Sequence, residues 1–434
     1  MNTVLYAAHP LHRNIKTLEK TFLGDDSAFD EEQIRRVTSP NHPSEFPMRH
    51  SRIAAAFAWT CTAIGVSITL IGCPDLIKAS GDAVASVTVT SHSYKGTASV
   101  GDFITFDLDT SALTFSYHNV TNGLSGSGTY VVNTDGSYTI TESSGCFSDA
   151  YEIPGYALVL RGTKTGPTQD ITSLVTSFKS QTNTIASVAN KSYNYMQFRI
   201  NSGGLEVGNV TMGAAAQITT SHYWPYGNFS DPMNPSNAYQ VDSTFPGSPT
   251  EDAATGALYL SIFDSGIWTD NYIFSTTDGL LAVDTGNGSL VCLEEAASSA
   301  LSSSNAGTYR GLSYGKTGAN TGMGNIETPT VGTVGKATVS VAADGTLLIT
   351  DASNATIASG TITPIAGSAL ETGIGHACPG LFHASISISG VTQEVFITFT
   401  GDAMLFSSFR PTSLGSSTYD YFYGVALKQV AASG

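Results

Sequence analysis

The sequence predicts an all-β protein of two mainly antiparallel β domains, barrels or sandwiches, with one or two short helices; a β-propeller is the alternative. Three observations predict it. Short runs of alternating apolar and polar residues follow one another from Ser80 onward, and Asp-Gly or Asn-Gly pairs separate several of them. The 434 residues are 41 % hydrophobic and include 44 glycines, yet only 12 % are charged, where a soluble domain averages about 25 %. That balance is apolar enough to build a core and excludes a disordered chain. The 19 basic residues against 35 acidic ones, a formal charge of −16, exclude nucleic acid as a partner.

The strands are read in chain order. Phe103–Asp109 and Ala112–Tyr117 alternate as strands do, and Gly128–Val132 meets Ser137–Ile140 across Asp135-Gly136. The same pattern carries Ile273-Phe274 across Asp278-Gly279 to Leu280–Ala282, and then across Asn287-Gly288 to Ser289–Cys292. It recurs where Ala337–Ala342 crosses Asp344-Gly345 to Thr346–Thr350. Asp-Gly and Asn-Gly supply the positive φ angles of tight hairpins. Ala355–Thr363, Leu381–Ser389, Glu394–Thr400 and Tyr419–Leu427 complete a run of hairpins. Helix is expected in Asp170–Ser187, where an N-capping Asp precedes Ile171, Leu174, Val175 and Phe178 at helical spacing, and secondarily in Leu293–Ser302. The Pro-rich stretch 221–249 divides an N-terminal β domain at 84–220 from a C-terminal one at 250–430.

Upstream lies one long apolar run, Ile53–Gly72, preceded by Met48-Arg49-His50-Ser51-Arg52 and followed by Cys73. A basic head, an apolar middle and a small-residue exit are the order of an export signal. Leu70-Ile71-Gly72-Cys73 resembles the lipobox of bacterial lipoprotein precursors, and the mature part resembles secreted lipoproteins of proteobacteria. The resemblance implies cleavage before Cys73, diacylation of its sulfur, a signal peptide at 48–72 and a tether at 73–83. It also implies the outer membrane, because Pro74 rather than Asp follows the cysteine. Residues 1–47 are then expected to be a non-native extension, with Met48 the start. The alternative is an uncleaved inner-membrane span, for which 20 residues are long enough, although Thr60, Thr62, Ser67 and Thr69 suit lipid poorly. Residues 1–72 hold seven basic and seven acidic residues, so the −16 falls wholly on the remainder.

Beyond the signal three cysteines remain. Cys292 and Cys378 are the expected disulfide in an oxidising compartment, leaving Cys146 over. No metal site and no cofactor are expected: no cysteines stand at C-x-x-C spacing and the histidines are scattered, only His376 and Cys378 lying close. Gly311-Leu312-Ser313-Tyr314-Gly315 matches a nucleophile elbow, but no helix follows to support an oxyanion. Asp107 and Asp109 on one strand face would stand about 6–7 Å apart, a spacing that an amphipathic strand explains equally well. Glu251-Asp252 and Glu294-Glu295 are further carboxylate pairs. In His222–Phe229 the aromatics Tyr223, Trp224, Tyr226 and Phe229 crowd together and are the candidate ligand or partner contacts, since aromatic faces stack on sugars and anchor interfaces. The expectation is a lipid-anchored envelope or surface lipoprotein with a binding or structural role, touching a glycan or another envelope protein. A surface hydrolase of glycans or esters is the alternative.

Overall fold

The computed structural model describes residues 91–429 apart from 165–170, 200–203, 227–238, 242–246, 265–266, 287, 321–325, 328–332, 351–355, 389–390 and 412–417. The lipobox, Cys73 and Phe229 therefore lie outside the described residues, as does the side chain of Tyr226. Residues Val84–Gly434 form one compact unit.

The fold is all-β, in three successive antiparallel sheets. The first is a closed barrel of β1 (Ser91–Ala98), β2 (Asp102–Asp109), β3 (Thr114–Asn119), β4 (Ser125–Val132), β5 (Ser137–Glu142), β6 (Phe147–Ile153), β7 (Ala157–Lys164) and β8 (Ile171–Lys179). Tyr94 opposite Lys179 and Ala98 opposite Val175 close it. The second is an open sheet of β9 (Ser192–Arg199), β10 (Gly204–Met212), β11 (Ile218–Tyr226), β12 (Tyr239–Val241), β13 (Thr250–Asp252), β14 (Ala257–Asp264), β15 (Ile267–Ser275), β16 (Leu280–Asp284) and β17 (Ser289–Glu294). Its two meanders join where β9 pairs β17, with β12 and β13 at the edges. The third contains β18 (Gly307–Asn320), β19 (Ile326–Glu327), β20 (Thr333–Val341), β21 (Thr346–Thr350), β22 (Thr356–Pro364), β23 (Leu381–Ile388), β24 (Val391–Thr400), β25 (Ala403–Pro411) and β26 (Thr418–Lys428). Here β18 pairs both β20 and β26, so eight strands close into a second barrel and β19 is an appendage.

The turn chemistry behaves as the sequence demands. Gly136, Gly279 and Gly345 sit at φ 78°, 82° and 85° between paired strands, a region that costs a residue with a Cβ.

Three expectations need correction. Asp170–Ser187 is not a helix: Ile171–Lys179 is β8, and only α1 (Ile185–Val188) is helical. Ser173 through Phe178 are all buried, because one face of β8 fills the barrel while the strand also packs on β18 and β20. Closing the barrel outweighs the helical spacing, and of the residues that carry it the β-branched Ile171 and Val175 and the aromatic Phe178 favour strand. Leu293–Ser302 is likewise not a helix; Leu293 and Glu294 end β17, and a single 3-10 turn follows at Ser303–Asn305. Nor does 221–249 separate two domains. Ser221–Tyr223 pair with Tyr239–Val241 inside the middle sheet, which lies in sequence between the two closed barrels.

The middle sheet is apolar on both faces. Tyr193 and Tyr195 of β9 belong to one core with Val210, Leu258, Leu281 and Cys292. The alternate residues Met196 and Phe198 belong to the large core that runs through the first barrel and along the second, as the two-residue period of a strand requires. Aromatic contacts join the sheets. Phe103 of β2 stacks on Tyr272 of β15 at 4.7 Å, Phe198 lies 4.8 Å from Tyr314 of β18, and Trp224 of β11 stacks on Phe396 of β24 at 5.3 Å. Full burial of one such ring contributes about 1.5–3 kcal/mol. The second barrel has its own interior, with Tyr309, Phe382, Ile397 and Phe406.

Polar contacts fix the barrels directly to each other. Lys336 on β20 donates to the Asp135 carboxylate at 3.1 Å and to Ser137 Oγ at 2.7 Å, at the β4–β5 turn of the first barrel. Inside the first barrel, the fully buried Glu152 carboxylate accepts from Tyr138 at 2.5 Å, meets His92 Nδ1 at 2.8 Å, and also accepts from Tyr94. Burial first and the charge of Glu152 second push both tyrosines well above their ordinary range.

Glu152→Ala removes the acceptor shared by buried Tyr94 and by the partly buried Tyr138 and His92, so chemical denaturation is expected to show a loss of about 3 kcal/mol. An unchanged midpoint contradicts this. Desolvation alone would raise the Asp135 carboxyl, but hydrogen bonds from Ser137 and the charge of Lys336 outweigh it and hold the group well below its usual range. A depressed carboxyl stabilises above the unfolded-state value near about 4 and loses that contribution as pH falls. The Tm gap between wild type and Asp135→Asn is therefore expected at neutral pH and should shrink on acidification below about pH 4; melts across that range test it.

Candidate functional site

The polar groups that converge most closely lie where the second barrel meets the middle sheet. Helix α2 (Ala369–Ile374) starts at Ser368, whose Oγ accepts from Leu370 N at 3.2 Å, and stops at Gly375 in the left-handed region, φ 73°. The chain then turns back to β23 through His376, Ala377, Cys378 and Pro379. Four hydrogen bonds tie this return to the sheet. His222 Nδ1 on β11 lies 2.7 Å from Ile374 O, and His376 Nε2 lies 2.6 Å from Glu295 Oε1 just beyond β17. Asn194 Nδ2 and Ala296 N donate to Pro379 O at 2.8 and 3.0 Å. A carbonyl and a carboxylate oxygen only accept here, which assigns the proton to Nδ1 of His222 and to Nε2 of His376. The two imidazole rings stack with centroids 5.2 Å apart.

Beside this return lies a cleft of about 470 Å³. Its walls are the β15–β16 turn (Asp278), the chain leaving β17 (Glu294 to Ala300), the 3-10 turn, and the β24–β25 turn (Thr400), with Phe382 and Phe399 beneath. Two neighbouring carboxylates are each held through one oxygen. Glu295 Oε1 takes His376 and also Asn209 Nδ2 at 3.3 Å, and Glu294 Oε2 takes Lys191 Nζ at 3.0 Å. The sequence showed Glu294-Glu295 and His376 separately. Their meeting spans 81 residues, and neither spacing nor composition reveals it.

The aromatics expected to contact a partner are placed differently. Trp224 is 1 % exposed and stacked in the core, because its β11 position faces the barrels; it is interior rather than a contact surface. Tyr223, on the opposite face of β11, is half-buried against the second face of the sheet. The Cys292–Cys378 bridge is not formed. Both are buried free thiols, and they belong to different cores, Cys292 with Tyr193 and Tyr195, Cys378 with Ile374 and Leu381. The middle sheet separates them. Desolvation raises both thiols well above their ordinary range, which keeps them protonated and unreactive. Cys146 is half-buried and also free.

The catalytic candidates do not assemble. Ser313 lies within β18 between Gly335 and Gly424, and among the described residues no histidine or carboxylate is hydrogen-bonded to it. Asp107 accepts from Ser93 Oγ at 2.5 Å, and Asp109 caps the turn at Ser111 and Ala112. Among the described residues no group of three or more His, Cys, Asp and Glu could hold a metal ion, and no helix is long and apolar enough to cross a membrane.

The sequence matches no protein-family model and no curated protein. Similar solved structures are transferrin binding proteins B. The vaccine antigen from Haemophilus parasuis Hp5, a Tyr-167-Ala and Trp-176-Ala double mutant, is 8 % identical, covers 79 % of this chain and 76 % of its own, and has a TM-score of 0.27. Isotype 1 from serogroup B Neisseria meningitidis is 10 % identical over 79 % and 77 %, TM-score 0.25. Intact Ap-TbpB, with N and C lobes, is 9 % identical over 76 % and 67 %, TM-score 0.25. Values of this size leave the binding chemistry to be read from the chain's own residues.

Iodoacetamide without reductant is expected to label Cys146 in the native protein, and Cys292 and Cys378 only after denaturation. Resistance of the latter pair until a reductant is added would restore the disulfide.

Proposed function

We propose that this chain is a lipid-anchored binding protein of the bacterial envelope, held in the outer membrane by acylated Cys73 and contacting a glycan or another envelope protein. The observation that carries it is the order basic head, apolar run, Gly72-Cys73 ahead of an all-β body. The peptidase needs a small residue at the scissile bond, and the transferase needs a thiol at the membrane surface. The body suits binding over group transfer: its buried carboxylate and tyrosines bond one another, burial keeps its deepest thiols protonated, and among the described residues no base is bonded to Ser313. The acidic balance disfavours anionic partners and keeps a tethered domain soluble.

Protein extracted from native membranes is expected to yield an N-terminal peptide beginning at Cys73 with a thioether-linked diacylglyceryl group, seen by mass spectrometry. Cys73→Ala should leave an uncleaved, unlipidated chain. An unmodified Cys73 in a chain that retains Ile53–Gly72 would replace this reading with a membrane-spanning anchor.

A further inference from the structure

We propose that the cleft between the middle sheet and the second barrel is a saccharide site for a neutral or amine-bearing sugar residue, with Glu294 and Glu295 accepting from its hydroxyls. The proposal rests on the glycan arm of the reading above and names where that glycan sits.

Each carboxylate is immobilised through one oxygen, Glu294 by Lys191 and Glu295 by His376 and Asn209, while Glu294 Oε1 and Glu295 Oε2 have no protein partner among the described residues. A carboxylate oriented from behind with one oxygen open is a ready acceptor, and hydrogen bonds to an ionised acceptor are the strong ones. Orientation in advance also lowers the ordering cost of binding.

The other walls select the ligand class. Thr277, Ser298, Ser302, Ser304 and Thr400 line the cleft; Ser302 and Ser304 share a hydrogen bond at 2.8 Å and Thr400 donates to Asp278 O at 3.2 Å. Ser298 Oγ accepts from Ala300 N, which leaves its own proton to donate. The side-chain amide of Asn305, also on the wall, has no partner among the described residues. A wall that both donates and accepts matches a polyol, whose every hydroxyl does the same; a simple polyamine would leave these hydroxyls unused. Phe382 and Phe399 close the bottom of the cleft from the second barrel's interior and are only 1 % and 6 % exposed, so the polar walls carry the contacts. A volume of about 470 Å³ falls in the range of small-ligand pockets. Among the described residues no Lys or Arg lines the cleft, whereas Asp278, Glu294 and Glu295 do; Lys191 bonds Glu294 and Lys428 bonds Ser304 O, which leaves three carboxylates against two ammonium groups. That residual negative balance disfavours phosphorylated and carboxylated sugars.

The test is calorimetric titration of the full chain in detergent with glucose, glucosamine, N-acetylglucosamine, cellobiose and chitobiose. N-acetylneuraminic acid and spermidine serve as comparators. At least one of the five sugars should bind saturably and N-acetylneuraminic acid should not. Ala300→Trp, at an exposed lining position, should abolish binding by filling the cleft. Glu295→Gln should weaken it by about tenfold or more. Cooperative melting above the titration temperature shows that both variants fold. The proposal is overturned if none of the five sugars binds, if Ala300→Trp binds as wild type does, or if spermidine alone binds. Mass spectrometry of Cys73 on the same preparation separates the two readings. Failure to bind sugar with the lipid in place overturns the cleft alone, and sugar binding by an unlipidated chain overturns the anchor alone.

Discussion

The middle sheet cannot be stable by itself, and the rest of the architecture follows from that. Its strands carry apolar side chains on both faces, Tyr193 and Tyr195 on one, Met196 and Phe198 on the other. A sheet of that kind must be covered twice. One face is buried within its own nine-stranded curl, with Val210, Leu258 and Leu281. The other has no such remedy and is covered by the outer walls of two barrels through Phe103, Tyr314, Phe396 and Tyr423. The barrels close on themselves and have no open edge to protect, so they dock by side chains, aromatic rings in the middle and the Lys336–Asp135 pair at the side.

The same requirement explains what the sequence makes legible. Hairpins are local: a glycine after Asp135, Asp278 or Asp344 fixes a turn regardless of what surrounds it, and β21 falls on Thr346–Thr350 as alternation predicts. Strand identity fails at β8, where tertiary burial overrides the local pattern. β8 is buried over six successive residues and so shows no alternation, and its apolar positions imitate a helix. The proline-rich stretch read as a boundary falls between and beyond β11 and β12, two strands that pair with each other, and that pairing is not encoded by local composition. Trp224 reads as a contact residue for a related reason, since an aromatic needed to glue sheet to barrel looks in sequence like one needed to grip a ligand.

The cleft was legible in its parts and not in its assembly. Glu294-Glu295 reads as a carboxylate pair and His376 as a loop histidine. What makes them a site is the return of the chain after α2, held by His222 from a third strand whose partner Ile374 is 152 residues distant. Contacts of such separation are set by topology. Topology here is decided by the burial pattern of the middle sheet rather than by any motif around the residues themselves.

Because the cleft has one wall from the sheet and another from the second barrel, its shape depends on the docking of the two. The bonds that hold the return to the sheet, His376 to Glu295 and Asn194 to Pro379, also orient one of the carboxylates. A ligand that bridges the walls must favour the docked arrangement over any separated one by its difference in affinity for the two. By the same reciprocity, whatever loosens docking lowers affinity without touching the ligand. Binding at the proposed cleft and the docking of its two walls would therefore be coupled, each strengthened by the other. That linkage gives a functional reason for the chain to spend so many of its aromatic residues on an interface no ligand reaches.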